Sequence, residues 1–439
     1  MEWTVPKLEG YKKRLWIAGA FSFAICMILS MYFHHFDSAH WMFTVDSIES
    51  GNGVYELNGF YYPPLYGYIL SFLAMVADLL AIPMTAVFPT DTSVPAGMGS
   101  YMYYNPAFPI LYKCVDALAS IAIAVLLFDL VKDYTGNERT AYRMSLIWLI
   151  CPIVIHMTAI QGQFDVLAIM TGLMCLSALR KENYFLAGAL FAISVLLKVF
   201  MGPCIVAFVI YIWAKKGKNL GSMRYVAYAA IGALIVTVIT YIPLFADGTW
   251  QYSITFFSDR AGRVWYMTLI TMLGILPMLG MMILCAYHMI KDTEDNERNL
   301  IVWTALLFGM AASIAPGYQY GPWISVCIIL MWTVMDDKRL YNKLYWCTAL
   351  ASTLTAITIT HFYQMMMGSY FWGFPDYVSV AELALAANPV MSIVATIISI
   401  IYVLALILAM VITLMSLFEG RWGVLDSISE RIRSTEGER

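Results

Sequence analysis

Charged residues are scarce in this sequence. Asp, Glu, Lys and Arg make up 13% of its 439 residues, against roughly 25% in ordinary soluble domains. Hydrophobic residues make up 61%, and the mean hydropathy is +0.71. A soluble domain cannot bury that much apolar surface, so the composition excludes an ordinary cytosolic enzyme, a disordered chain and a nucleic-acid-binding protein. The sequence predicts an all-α polytopic membrane protein.

Redox motifs, repeats and a cleavable signal are also missing. No Cys-x-x-Cys motif occurs, and all eight cysteines lie in apolar stretches, which predicts packing roles for them. No internal repeat is visible, although many secondary transporters show two similar halves, and this counts against a transporter. The apolar run 15–33 follows Lys12, Lys13 and Arg14 and is too long for a signal-peptide core. It predicts an uncleaved first membrane helix with a cytoplasmic N-terminus.

The remaining apolar runs give a membrane map. Including the first, they lie at 15–33, 65–88, 108–131, 143–160, 165–180, 184–197, 202–213, 224–243, 266–290, 299–315, 320–335, 343–365 and 390–417. Linkers rich in Lys and Arg are assigned to the cytoplasm by the positive-inside rule. The linkers poor in these residues are placed outside, and they are 34–64, 89–107, 161–164, 198–202, 244–265, 316–321 and 362–389.

Segment 65–88 conflicts with a simple count of spans, because both of its flanking linkers belong outside. It also holds Asp78 and is broken by Pro83. We therefore interpret it as a re-entrant or partly external helix pair. This leaves about 12 transmembrane helices with both termini in the cytoplasm. The alternative is that the segment spans the membrane and that 89–107 is cytoplasmic.

Ionisable side chains gather on the predicted outer side, where each is a functional hypothesis by default. They are Asp37, Asp46, Glu49, Asp165, Lys198, Arg260, Arg263, His34, His35, His40, His156 and His361. A conduction path would place polar groups through the whole membrane thickness. One polar face instead predicts a reaction at the outer membrane–water boundary.

Local patterns place several of these residues. The linker 34–64 predicts an amphipathic surface helix that ends at Gly51-Asn52-Gly53, and a further helix is expected after Pro63-Pro64. Gly162-Gln163-Phe164-Asp165 predicts a tight turn. Asp165 could serve only to cap the next helix, and Lys198 could simply extend to the membrane surface. Because Lys198 lies on the side poor in cations, a phosphate-binding role is favoured for it.

An ordered series of motifs carries a family resemblance. An acid follows the first helix, and it is followed by Tyr62-Pro63-Pro64, Lys113-x-x-Asp116, Gly162-Gln-x-Asp165 and Leu197-Lys198. This series resembles the GT-C superfamily of membrane glycosyltransferases. It is most similar to the branch that depends on polyprenyl-phosphate mannose. The resemblance covers roughly 15–205, with weaker similarity at Trp265 and 316–321.

The resemblance implies a helical membrane bundle with a large first extracytoplasmic loop that bears the catalytic acid. It divides the chain into a cytoplasmic N-terminus 1–14, a catalytic module 15–243, a variable transmembrane module 244–418 and a cytoplasmic tail 419–439. The family's acid corresponds to Asp37, with Asp46 left open. The donor would be a sugar, mannose by resemblance, on a polyprenyl phosphate. The acceptor would be a glycolipid, a glycan or a protein.

The chemistry of such a transfer agrees with the residues on the outer side. A base must remove the acceptor's hydroxyl proton, which Asp37 could do. Cations would stabilise the leaving phosphate, a role that suits Lys198, Arg260 and Arg263. The expected sugar or acceptor ligands are Gln163, Asp165, His35, His40, Tyr62, Tyr318 and Gln319. The histidines and Asp37 are compatible with a divalent metal, but no metal ligand is predicted and none is required.

Two other classes of function stay open at this stage. One is a transporter or flippase of a lipid-linked sugar, for which Asp78 would be the mid-membrane charge. The other is a structural subunit without chemistry, which would make the clustered acids and cations coincidental. No retention signal is visible, which favours the plasma membrane, with the active site facing out.

Overall fold

The structure is a computed structural model. It describes residues 10–51, 53–55, 60, 62–82, 86–87, 103–104, 107–253, 265–292, 294–314, 318–360, 364–366 and 377–418. Within these ranges the chain is helical apart from two short pairs of strands. The predicted all-α class is therefore confirmed for the described part of the chain.

Fifteen α-helices are labelled here in chain order. They are α1 Tyr11–Tyr32, α2 Phe36–Glu49, α3 Leu65–Leu79, α4 Ala107–Thr135, α5 Glu138–Leu149, α6 Pro152–Ile155, α7 Asp165–Arg180, α8 Tyr184–Leu197, α9 Ile205–Lys215, α10 Met223–Ala246, α11 Trp265–Lys291, α12 Asn296–Ile314, α13 Gly321–Val334, α14 Lys338–Thr360 and α15 Tyr377–Leu417. One π-helix and three 3₁₀ helices complete the set, and they are His156–Gln161, Val199–Cys204, Leu220–Ser222 and Tyr318–Tyr320.

Strands β3 and β4 lie in predicted outside linkers, β1 lies at the start of another, and β2 lies at the end of the predicted segment 65–88. Strand β1 (Phe33–His35) pairs antiparallel with β4 (Gln364–Met366), and β2 (Ala86–Val87) pairs antiparallel with β3 (Tyr103–Tyr104). The first pairing joins the segment just before α2 to the linker that follows α14. Two distant outside linkers thus meet beside the start of α2.

Five helices in the described part are long and apolar enough to cross a membrane. They are Tyr11–Met31, Ala107–Thr135, Leu220–Ala246, Gly274–Lys291 and Thr396–Leu417. A sixth candidate is the pair Glu138–Leu149 and Pro152–Gln161, bent by 48° at its break. The break follows from Pro152, whose ring cannot donate the backbone hydrogen bond that a continuous helix needs. Shorter apolar helices such as α8 and α13 account for several of the other predicted segments.

The core lies where α12 and α13 pack against the helices between α4 and α9. Every residue of α13 and most residues of α12 are buried, Trp303 and Trp323 completely. Helix α10 packs mainly against α8 and presents a row of large apolar side chains outward, as a lipid-facing helix does. The buried helices therefore form a rigid support for the ends of α7 and α8, where the site described next lies.

Two predicted helix boundaries are confirmed. The helix predicted after the first span is α2, which ends at Glu49 just before Gly51, whose φ is +80°. It is not the surface helix that was expected, because most of its described side chains, among them Trp41, Met42 and Val45, are buried. Helix α3 begins at Leu65, directly after Pro64. Both boundaries follow from local chemistry, because glycine tolerates the left-handed conformation and proline fits the start of a helix.

Candidate active site

Helix α2 is docked onto the turn that precedes α7. The indole Nε1 of Trp41 donates a hydrogen bond to the carbonyl of Gly162 at 3.1 Å, and Trp41 is 2% exposed. Its ring also packs edge-on against Tyr66 at 5.1 Å and Phe164 at 5.6 Å between centroids. The predicted outside loop and the predicted turn are therefore in direct contact.

The turn itself needs glycine at position 162. The π-helix His156–Gln161 ends there, and Gly162 adopts φ +68° and ψ +46°. A Cβ at this position would also lie 2.7 Å from the Tyr112 ring and 3.0 Å from Lys113 Cε. Both the backbone conformation and the space thus exclude a larger residue. A π-helix frees backbone groups and often marks a functional site.

Asp165 and Lys198 form a buried ion pair beside this turn. Lys198 Nζ donates to both carboxylate oxygens of Asp165 at 2.7 Å, and the side chains are 5% and 0% exposed. Trp323 Nε1, from α13, donates to Asp165 Oδ1 as well. The first residue of α7, the residue that follows α8 and a residue of α13 therefore meet at one carboxylate.

Aromatic rings enclose the ammonium group. Lys198 Nζ lies 5.4 Å from the Tyr62 ring centroid, 5.3 Å from Phe164, 6.0 Å from Phe200 and 5.1 Å from Tyr320. Ring faces attract a cation, and more strongly where water is excluded. These four rings and the Asp165 carboxylate are called the Lys198 cage below. The cage both holds the charge and shields it from water.

Both simple alternatives for this pair are wrong. Asp165 does not cap α7, because its carboxylate is held by Lys198 and Trp323, and the N-cap residue Phe164 makes no side-chain cap. Lys198 does not extend to the membrane surface, because it is only 4% exposed. Burying two charges is expensive, so the pair requires another explanation.

A second group of acids lies at the far end of α2. Asp46 remains solvent-accessible, although partial burial raises its pKa from the ordinary value of an aspartate. Burial also raises the pKa of Glu49, and the nearby carboxylates of Asp78 and Asp46 raise it further. Asp78, at the end of α3, therefore lies within electrostatic range of the end of α2.

The predicted site residues fall into four groups. Tyr62, Gln163, Asp165 and Lys198 are brought together at the turn and the cage. Gln319 is half-buried in the 3₁₀ helix next to Tyr320. The backbones of His35, Asp37, His40 and Tyr318 belong to β1, α2 and that 3₁₀ helix, but their side chains lie outside the described part. Arg260 and Arg263 lie outside the described residues altogether.

Sequence reasoning missed the aromatic components of the site other than Tyr62. Trp41, Phe164, Phe200, Tyr320 and Trp323 all contact the turn, the ion pair or each other. Three of them directly adjoin predicted motif residues or lie within two positions of them, which is a usable signal. Nothing in the sequence points to Trp323, because it reaches Asp165 across 158 residues.

The described residues hold no group of three or more His, Cys, Asp or Glu side chains arranged for a metal ion. The side chains of His34, His35, Asp37 and His40 lie outside the described part of the structure.

One family comparison bears on the site. The model of a family described as dolichyl-phosphate-mannose-protein mannosyltransferase matches residues 108–242. That match confirms the resemblance over this segment. It covers about a third of the chain and includes Lys113, Asp116, Gln163, Asp165 and Lys198, but neither Asp37 nor Asp46. No curated protein sequence matches the chain.

Proposed function

We propose that this protein is an inverting glycosyltransferase. It moves a sugar, with mannose as the first candidate, from a polyprenyl phosphate to a glycolipid, glycan or protein at the outer membrane face. The match to a mannosyltransferase family supports the class of reaction. The observation that carries the proposal is the docking of α2 onto the Gly162–Asp165 turn through Trp41, next to the buried Lys198.

In this proposal Asp37 is the general base. It accepts the proton of the acceptor hydroxyl as that oxygen attacks the anomeric carbon, and the bond from that carbon to the phosphate oxygen breaks. One such displacement inverts the anomeric configuration. Asp37 is favoured over Asp46 as the base because it lies one helical turn before Trp41, the residue that contacts the Gly162–Asp165 turn. Asp46 is exposed on a helix that buries Trp41 and Val45.

Lys198, with Arg260 and Arg263, is the proposed partner of the donor phosphate. An ammonium carries three donors, and Asp165 accepts two of them in the Lys198 cage, which leaves one for a phosphate oxygen. A preorganised cation in a site that excludes water stabilises the leaving group's charge more than a solvated one does. Asp165 would then orient Lys198 as well as bind sugar hydroxyls.

The remaining predicted ligands complete the proposed substrate site. Gln163 and Tyr62 lie at the turn and the cage, where a sugar bound between the Asp37 helix and Lys198 would contact them. His35, His40, Tyr318 and Gln319 are proposed to contact the sugar or the acceptor. The cations supply the positive charge that the leaving phosphate needs, so the proposal requires no metal.

The proposal places the site outside a plasma membrane, in a chain with about 12 crossings and both termini in the cytoplasm. The helix candidates support a polytopic protein. The packing of α3 against α2, with Asp78 within electrostatic range of Glu49, supports α3 as a re-entrant or external helix, because it keeps the end of α3 next to the end of α2. A single membrane-crossing helix would carry these two ends apart.

The test is transfer from radiolabelled polyprenyl-phosphate sugars, mannose first, by the full chain in nanodiscs with a membrane glycolipid extract as acceptor. Asp37→Asn should lower kcat about 10²- to 10⁴-fold, the range that general-base catalysis contributes. Asp46→Asn changes another acid on the same helix; it is the matched control and should retain activity. Thermal unfolding checks that both variants fold.

The outcomes separate the alternatives. Retained activity in Asp37→Asn together with loss in Asp46→Asn would assign the base to Asp46. Retained activity in both variants would exclude both acids as the base. If wild type consumes no polyprenyl-phosphate sugar, the glycosyltransferase proposal fails, and a flippase assay with fluorescent lipid-linked sugar becomes the relevant measurement.

A further inference from the structure

Lys113 is a completely buried lysine in the second turn of α4. Its Nζ donates hydrogen bonds to the backbone carbonyls of Phe33 at 2.9 Å and Ile160 at 3.0 Å. The side chain is 0% exposed. A buried ammonium is costly unless its donors are satisfied, and here two backbone carbonyls from different segments satisfy it.

The two carbonyls belong to the segments that lead into the proposed active site. Phe33 begins β1 and lies four residues before Asp37. Ile160 lies in the π-helix, two residues before Gly162 and five before Asp165. The Lys113 ammonium therefore links the segment that precedes α2 to the segment that precedes α7. The two carbonyls it binds, those of Phe33 and Ile160, are 127 positions apart in the sequence.

The segment around Ile160 is held from more than one direction. Ser30 Oγ, in α1, donates to the carbonyl of Ala159 at 3.1 Å, and Trp41 donates to the carbonyl of Gly162 from the side of α2. Gly162 is packed so closely that a Cβ would lie 3.0 Å from Lys113 Cε. Lys113 thus sits between the two segments with little free space around its stem.

Asp116 lies one helical turn further along α4. It is 1% exposed, and its Oδ2 makes no hydrogen bond within the described part of the chain. It lies within electrostatic range of both Lys113 and Asp165. Lys113, Asp116, Asp165 and Lys198 therefore form a buried cluster of four ionisable side chains, which makes an incidental lysine at position 113 a poor explanation.

We propose that Lys113 is a positioning residue that fixes the start of α2 relative to the Gly162–Asp165 turn, through the carbonyls of Phe33 and Ile160. It contacts neither sugar nor phosphate. Its effect on turnover rests on the proposed function, because it acts by holding α2, which carries Asp37, close to Asp165 and its partner Lys198. Its effect on the backbone does not depend on the substrate.

The first experiment is hydrogen–deuterium exchange of the full chain in nanodiscs, followed by mass spectrometry. In Lys113→Met, amides in 33–40 and 156–165 should both exchange at least tenfold faster than in wild type, while α12 and α13 are unchanged. The matched control is Lys132→Met, at the other end of the same helix, where the ammonium pairs with Glu138 near the surface. It should leave both segments unchanged.

Lys113→Arg covers the case in which Lys113→Met does not fold. A guanidinium retains the charge and several donors, so protection of the two segments should recover most of the way to wild type. Any residual change must appear in 33–40 and 156–165 together. A change in one segment alone, an equal change in α12 and α13, or wild-type exchange in Lys113→Met would overturn the proposal.

A second measurement concerns the reaction. With the donor in steady-state assays, Lys113→Met should lower kcat at least tenfold while the donor KM stays within twofold, because the phosphate contacts of Lys198 are intact. A raised donor KM with unchanged kcat would overturn a positioning role in catalysis. The exchange result holds whatever the substrate is, so failure of the glycosyltransferase assay and failure of this inference are distinguishable.

Discussion

At the scale of single residues, the buried pair of Asp165 and Lys198 sets the chemistry of the site. The carboxylate accepts hydrogen bonds from Lys198 and Trp323, and the ammonium lies among aromatic rings. Neither charge has water as an alternative partner. Removing one member therefore leaves the other charge buried without compensation, which is worse than removing both.

This reasoning predicts the stability of variants at the pair. Lys198→Met should lower the free energy of unfolding by about 3–5 kcal/mol, the range for breaking a buried pair from one side. The double variant Lys198→Met, Asp165→Asn should be more stable than Lys198→Met alone. The measurement is reversible unfolding in detergent, analysed as a double-mutant cycle.

The matched control for this prediction is Lys216→Met. Lys216 also pairs with a carboxylate, Glu182, but that pair lies at the surface. Exposed pairs contribute about 0–1 kcal/mol, so this variant should unfold almost as wild type does. Equal losses at Lys198 and Lys216, or a double variant less stable than either single one, would contradict the account of the buried pair.

At the scale of elements, α8 and α10 pack through glycines. A Cβ at Gly188 would overlap the carbonyl of Ala229, and one at Gly232 would overlap the carbonyl of Phe185. In a membrane, small residues let two helices approach until their backbones touch, and close packing replaces the missing hydrophobic driving force. One face of α10 is exposed, and α8 is the main helix that packs against the other face.

Gly188→Ala should therefore separate α8 from α10 and lower the free energy of unfolding by roughly 1–3 kcal/mol, as overpacking does. Gly280→Ala, in α11, is the matched control, because a Cβ there meets no atom within 4 Å. It should be neutral or stabilise by roughly 0.5–1 kcal/mol through the reduced flexibility of the unfolded chain. Unfolding in detergent compares the two variants, and equal stabilities would show that the contact is not close.

At the scale of the whole molecule, charge sets the orientation in the membrane. The turn between α13 and α14 is followed by Lys338 and Arg339, whereas the turn after α10 around Gln251 has no adjacent Lys or Arg. The positive-inside rule places the first turn in the cytoplasm and the second outside. The proposed active site lies on the side of the second turn.

Cysteine labelling tests this orientation. In a Cys347→Ser background, Gln251→Cys should react with a membrane-impermeant maleimide in intact cells. Asp336→Cys should react only in inside-out vesicles. Both native side chains are exposed, so accessibility differs only by the side of the membrane. The opposite labelling pattern would invert the topology and place Lys198 and Asp165 at the cytoplasmic face.

The sequence by itself determined the helical class and many element boundaries. Long apolar runs, Pro64, Gly51 and Gly162 act through local sterics and burial, so they specify where helices begin and end without reference to the rest of the chain. The motif order also determined the resemblance to a glycosyltransferase family, which the match over 108–242 confirms. It predicted Asp165 and Lys198 as site residues, but it did not predict that they pair with each other.

The tertiary structure alone decided the partners. Lys198 reaches Asp165 across 33 residues, Trp41 reaches Gly162 across 121, and Trp323 reaches Asp165 across 158. Lys113 joins two segments that no local pattern relates. Such contacts depend on how helices pack, because a buried charge is bound by whichever group the fold brings within hydrogen-bond distance. Hydrophobic periodicity records which side of a helix is buried, not which side chain will lie against it.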